Sequence, residues 1–166
     1  MTNARTVREK NPEGTVVWVK RSVLRYISSE GTKSIPLETG GVLIGYRGLN
    51  SDYIITNVVG PGPNAIHSKS FFEPDQKFHE REIERLYELS GCTETYLGDW
   101  HTHPNSTPYL SPQDVKTLTR IAIFKKARIA NPLMLVVAPP TELYKIWCYQ
   151  AGQKKTESIN KIFTFT

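Results

Sequence analysis

Apolar and polar positions alternate along this chain with two periods, and the elements follow from them. Thr15-Val-Val-Trp-Val19 predicts a first strand, and Ser22-Val-Leu-Arg-Tyr-Ile27 a short helix with its apolar side inward. Gly31 to Pro36 reads as a connection. Leu37-Glu-Thr-Gly-Gly-Val-Leu-Ile-Gly45 is a near-continuous apolar run, the pattern of a strand buried on both faces. Its Gly40-Gly41 pair implies a close backbone approach or a bulge. Tyr53 to Val59 pairs with this strand as a hairpin, turning through residues 47–52. Gly60-Pro-Gly-Pro-Asn-Ala is a stiff loop, and Ile66 to Phe72 an extended return.

Asp75 to Ser90 is an amphipathic helix with Phe78, Ile83, Leu86 and Leu89 on its inner side. His79 falls near the polar face, and Gly91 ends the helix. A strand over Thr95 to His103, stopped by Pro104, precedes a loop and then a helix from Pro112 to about Arg128. Val115, Leu118, Ile121, Ala122 and Phe124 form that helix's expected buried stripe. Pro132 to Ala138 reads as another buried strand, and Leu143 to Tyr149 as an alternating one. The tail ending Ile162-Phe-Thr-Phe-Thr166 offers a final strand. Strands and helices mix without strict alternation, so the expected class is α+β, a mixed three-layer arrangement.

The chain has 166 residues, enough for one domain with a buried core. Residues 1–14 read as a loose polar arm, 15–150 as the domain, and 151–166 as an extension with an edge strand. No apolar run approaches the ~20 residues of a membrane span, and the N-terminus lacks the apolar core of a secretory signal. Cys92 and Cys148 have no C-x-x-C spacing, which points to free thiols in a reducing, cytoplasmic compartment. The formal charge of +5 is spread along the chain, with small clusters at 125–128 and 154–155. That distribution fits a solvated surface better than a nucleic-acid interface.

The candidate chemistry lies in Gly98-Asp-Trp-His-Thr-His-Pro104 and Ser111-Pro-Gln-Asp114. In a strand, His101 and His103 project from the same face, the pairing that a metal needs from two imidazoles. Ser111 fits a helix N-cap, Pro112 the first helical position and Asp114 the first turn, from which the loop could fold Asp114 back onto the histidines. Two histidines and a carboxylate form the three-ligand set of many catalytic zinc sites, with a fourth position open to water. Asp99 shares the histidines' face. By spacing it is a rival ligand, a partner for an imidazole, or a solvent-facing strand residue. His67 could approach from its loop or simply be exposed there.

Glu38, His101-x-His103-Pro104, Ser111 and Asp114 together resemble the JAMM motif of the JAB/MPN metalloproteases: Glu upstream, His-x-His-Pro, six residues, Ser, two residues, Asp. The resemblance runs from about residue 15 to 150. It implies a JAB/MPN-like, cytidine-deaminase-like fold, a curved mixed sheet flanked by helices. It also implies Zn2+ as cofactor, held by His101, His103 and Asp114. Glu38 would then be the general base and Ser111 the residue that holds the oxyanion, with Asp99 in a supporting place. The implied substrate is a peptide or isopeptide bond after the C-terminus of ubiquitin or a ubiquitin-like protein.

The stretches at 60–75 and 98–104 are similar to prokaryotic JAB proteins, particularly the JAB peptidase of bacterial CBASS anti-phage operons. There the peptidase releases the cyclic-nucleotide synthase (CD-NTase) from targets to which its C-terminus was attached. The implied partner is accordingly a protein with an extended C-terminal tail, a CD-NTase or a ubiquitin-like conjugate, with neither nucleic acid nor membrane expected. Alternatives within the family are processing of a ubiquitin-like sulfur carrier and a non-catalytic MPN scaffold. A zinc nucleobase deaminase is disfavoured because H-x-E…P-C-x-x-C is absent.

Overall fold

Runs rich in Val and Ile become strands where the pattern predicts them, and a computed structural model describing residues 14–166 gives their order. The chain runs β1 (Val16–Lys20), α1 (Arg21–Ser34), β2 (Gly40–Arg47), β3 (Tyr53–Val59), β4 (Ile66–His67), β5 (Phe72–Glu73) and α2 (Gln76–Leu89). It continues through β6 (Thr95–Thr102), α3 (Pro112–Ile123), a 3-10 turn at Lys125–Ala127, β7 (Leu133–Val137), β8 (Tyr144–Gln150), β9 (Lys155–Ser158) and β10 (Lys161–Phe165). Apart from Gly14, the expected N-terminal arm lies outside the described residues.

Eight strands form one sheet in the order β10-β1-β3-β2-β6-β7-β8-β9, and β4 and β5 form a separate small hairpin. The pairs β1–β10, β1–β3 and β6–β7 are parallel and the others antiparallel. The expected α+β class with a mixed sheet flanked by helices is therefore present. The tail contributes both edges of this sheet, β9 and β10.

Alternation along the central strands sorts the helices onto two faces. Val23 and Ile27 of α1 join Val17, Val19, Leu43, Trp100 and Leu135 in the largest core cluster. Phe78, Ile83 and Leu86 of α2 cover Val42 and Ile44, which flank Leu43 in β2 and so face the other way. On that second face, Leu118 of α3 packs with Met134 and Val136. The layers are α1, sheet, then α2 beside α3.

Three helix expectations need correction. First, α1 runs through Gly31 to Ser34 rather than ending near Ile27. Gly31 serves there as a close-approach residue: a Cβ on it would stand 3.0 Å from Thr102 Cγ2 and 3.3 Å from Pro139 Cγ. Second, α3 stops at Ile123, because its C-terminal side chains find no partner to cover them; Ile123 and Phe124 are exposed, as is Val115. Third, Leu89 is exposed while His79, assigned to the polar face of α2, is buried. The chain entering α2 folds back over it, and His79 Nε2 hydrogen-bonds the Gly60 carbonyl at 2.8 Å.

Candidate metal centre

Strand β6 brings His101 to the sheet's α2/α3 side, and the backbone just past its end carries His103. His103 N–H donates to Val137 O at 2.9 Å, so the segment beyond β6 stays fastened to β7. On the other side, Gly40 of β2 pairs with His101. Two bonds extend that pairing outward: Thr102 N–H to Thr39 O at 2.9 Å, and Thr39 N–H to Thr102 Oγ1 at 3.0 Å. They keep Glu38 alongside the two histidines.

Asp114 arrives from the start of α3 by the capping chemistry predicted for Ser111. Ser111 Oγ accepts from Asp114 N–H at 3.2 Å, and Asp114 Oδ2 accepts from Ser111 N–H at 2.7 Å, with Pro112 at the first helical position. The hydroxyl oxygen acts here as acceptor, which leaves its hydrogen available to donate.

His101, His103 and Asp114 are all buried, and they form one group able to hold a metal ion. His101 Nε2 lies 3.0 Å from His103 Nε2 and 3.2 Å from Asp114 Oδ1, and His103 Nε2 lies 3.6 Å from Asp114 Oδ2. Around a tetrahedral ion with bonds of about 2.1 Å, neighbouring ligand atoms stand roughly 3.4 Å apart. The two Asp114 separations run to different carboxylate oxygens, and one donor atom from each residue lies within 4.8 Å of the others, so the group is close enough to gather around such an ion. The outer ring nitrogens agree with this. His101 Nδ1 faces Met134 Sδ at 3.2 Å, and His103 Nδ1 is buried without a well-formed hydrogen bond, the Thr107 main chain being the polar group against that ring. An ion held here would take the Nε2 lone pair of His101 and leave the ring proton on Nδ1, whereas without one Nε2–H can donate to Asp114 Oδ1.

Electrostatics separates the carboxylates. Burial works to raise the Asp114 carboxyl, but the His101 hydrogen bond and charge, together with the Ser111 bonds, hold it at about 2. It is therefore ionised throughout the neutral range. Glu38 moves the other way: burial lifts its carboxyl above the usual range, the charge of His101 opposes this and that of Asp114 adds to it. The charges of both residues thus reach the Glu38 carboxyl. Burial also depresses the His103 imidazole, keeping it neutral and ligand-ready.

Asp99 stands outside the group. Its Oδ1 accepts from the Tyr96 hydroxyl at 2.7 Å, and burial raises its carboxyl, with Tyr96, His79 and His101 acting against that rise. His67 does approach, though only to the main chain of Glu38: its Nδ1 lies 2.9 Å from Glu38 O. Pattern reading passed over Met134 behind His101 and Tyr109, whose half-exposed ring stands 4.7 Å from that of His103. A fixed register between β6 and β7, which pairs Asp99 with Met134, would have pointed to the first. Nothing in the loop's composition marks Tyr109.

Comparisons with known proteins bear on the same stretch. Prokaryotic homologs of the JAB domain, as a family, match residues 20–152. A protein of Sinorhizobium fredii named probable metalloprotease y4qB is 33% identical over 142 residues, 84% of this chain and 87% of that one. The CD-NTase/cGAS isopeptidase of Escherichia coli is 32% identical over 102 residues, 61% of this chain and 65% of that protein. The protein of the same name from Vibrio cholerae is 28% identical over 114 residues, 69% of this chain and 72% of its own. Among solved structures, protein DSY2949 from Desulfitobacterium hafniense aligns with a TM-score of 0.67 at 16% identity, covering 90% of this chain and 93% of that one, a likeness of fold. With its sheet, the two histidines at the end of β6 and a family match over residues 20–152, this chain belongs to the prokaryotic JAB family.

Proposed function

We propose that this JAB-family metallopeptidase hydrolyses the peptide or isopeptide bond that follows the C-terminus of a conjugated ubiquitin-like protein or CD-NTase. The role we assign it is to release a CD-NTase from its targets in CBASS anti-phage defence. The observation that carries the reading is the convergence of two Nε2 atoms and one carboxylate within 3.0–3.6 Å, with Glu38 coupled to them. Relatives named CD-NTase/cGAS isopeptidase, at 28% and 32% identity, support the substrate class.

His101, His103 and Asp114 would hold a zinc ion, which supplies an acidified water and a polarised scissile carbonyl. Glu38 takes a proton from the attacking water and passes it to the leaving amine. Burial raises its carboxyl above the ordinary carboxylate value, the direction that favours a group which must return the proton it accepts. Asp114 is held ionised and takes no part in the proton transfer. Ser111, with its oxygen engaged by the cap and its hydrogen spare, donates toward the oxyanion that develops on the substrate carbonyl.

The test is cleavage of a CD-NTase joined through its C-terminal residue to a reporter protein, with wild type, Glu38→Ala and chelator-treated enzyme side by side. Cleavage at the junction by wild type alone is the expected outcome. Intact fusion after treatment with zinc-loaded wild type would count against the CD-NTase assignment, and a ubiquitin-like sulfur carrier would be tried in its place. Full turnover by Glu38→Ala would remove Glu38 from the role of base.

A further inference from the structure

Glu38 lies ahead of β2, outside the regular ladder, yet a proton-transferring carboxylate must be held to within a fraction of an ångström. Among the described residues no hydrogen bond or ion pair holds the Glu38 side chain, so the contacts of its main chain set its aim. On one side Thr39 is zipped to Thr102. On the other stands the β4–β5 hairpin, which meets both polar groups of residue 38. Glu38 N–H donates to Ser68 O at 2.7 Å, and Glu38 O lies 2.9 Å from His67 Nδ1.

A carbonyl oxygen only accepts, so His67 Nδ1 must carry a hydrogen. The neutral Nδ1–H tautomer and the imidazolium both satisfy this, and the bond therefore survives protonation of the ring. The ring itself is held. It pairs across the hairpin with Phe72, with centroids 5.4 Å apart, and Phe72 in turn presses on Gly40, where a Cβ would come within 2.8 Å of the phenyl ring. At its base the hairpin is fastened to α2: Asp75 N–H donates to Pro61 O at 3.1 Å, and His79 Nε2 donates to Gly60 O at 2.8 Å. Pro61 and Pro63 stiffen the segment between these ties and the hairpin. The support behind His67 is thus rigid and continuous with the helix.

We propose that His67 is a positioning residue for Glu38, its Nδ1–H gripping the Glu38 carbonyl so that the β4–β5 hairpin aims the carboxylate at the metal centre. This rests on Glu38 being the base. His67 does not touch the ligands, so it acts on turnover and leaves metal binding alone.

Three variants separate the possibilities. His67→Phe keeps an aromatic ring against Phe72 but has no donor, His67→Ala removes both, and His67→Asn restores an N–H at the position of Nδ1. In the cleavage assay, His67→Phe and His67→Ala should lose about 10- to 100-fold in kcat, the scale of a small misplacement of a reacting group. KM and bound metal should be unchanged, and His67→Asn should recover most of the loss. Hydrogen exchange, which needs no substrate, should show faster exchange of the Glu38 and Thr39 amides in His67→Phe than in wild type.

Wild-type kcat in His67→Phe, or a loss that falls in step with metal content or melting temperature, would overturn the proposal. So would His67→Asn being no better than His67→Phe. If wild type cleaves no conjugate, the functional reading fails and the exchange measurement alone judges the clamp: unchanged exchange at residues 38 and 39 sinks it.

Discussion

The Tyr96 hydroxyl reaches the Asp99 carboxylate at 2.7 Å, although the two residues stand three apart in one strand. Strict alternation would put them on opposite faces. The register of β6 against β2 shifts between them, with Leu43 opposite Gly98 but Ile44 opposite Tyr96, so one residue is bulged out. Gly98 permits the bulge: its φ is +146°, and a Cβ there would strike the Leu133 carbonyl. The bulge puts Tyr96 on the Asp99–His101 face.

Tyr96→Phe should therefore destabilise the protein by about 1 kcal/mol, because it leaves a half-buried carboxylate without its donor. Asp99 is already raised by burial, and the Tyr96 bond opposes that rise. Losing the bond raises the folded pKa further above the unfolded value. The deficit should accordingly be small below the ordinary carboxylate range and grow as pH rises through the folded pKa. Urea denaturation of both proteins at acid and neutral pH measures this; equal deficits at both would mean that Asp99 is not the group involved.

Much of the site was legible because its geometry is local. Strand periodicity put His101 and His103 on one face, and the Ser-Pro-x-Asp cap placed Asp114 in the first turn of α3. What could not be read depends on residues far apart in the chain. His79 looked polar-facing on α2, and only the return of Gly60 over the helix buries it. Gly31 reads as a helix breaker in sequence, whereas in the fold α1 runs through it because Thr102 and Pro139 pack against it. The apolar stripe on α3 runs to Phe124 in sequence, whereas Leu118 and the residues near it are the ones with a surface to cover. The strands fared better, since a buried strand such as Leu133–Val137 is apolar whatever its neighbours are.

Leu118 joins the ligand helix to the sheet. It is fully buried against Met134 and Val136, four residues after Asp114 and on the same face of α3. Leu118→Ala should cost about 2–5 kcal/mol of stability. It should also weaken metal binding, because the same helix turn sets the distance of Asp114 from the histidines. Titration calorimetry beside thermal unfolding checks both effects. Undiminished metal affinity would show that the Ser111 cap alone suffices to place the carboxylate.

Asp75 caps α2 and secures the hairpin's base. Its carboxyl is held below the ordinary value of 3.8, chiefly by the Phe78 N–H, with burial opposing and both Asn64 bonds and the Arg81 charge assisting. A depressed folded pKa contributes stability that is present above the unfolded value and lost as pH falls through the folded one. Asp75→Asn should therefore unfold at a lower temperature than wild type at neutral pH, with the two converging as pH drops below about 4. A gap that persists at the lowest pH would assign the effect to hydrogen bonding alone.

The ligand set can be tested against Asp99, which shares the face of both histidines. His103→Ala and Asp114→Ala each remove one donor from the group of three that forms among the described residues, and each should lose stoichiometric metal. Asp99 is engaged by Tyr96 and interacts with His101 through its charge. Asp99→Asn keeps an acceptor for the Tyr96 hydroxyl and should weaken metal binding without abolishing it. Metal analysis after dialysis gives the stoichiometry, and thermal unfolding with added zinc gives the affinity. A ligand that binds only the folded state stabilises it by about 2.7 kcal/mol at a free concentration a hundred times its Kd. Wild type should show that rise and His103→Ala none, with Asp99→Asn in between at higher zinc. Complete metal loss in Asp99→Asn together with normal binding in Asp114→Ala would exchange the two carboxylates' roles, and α3 would then cap the site without ligating in it.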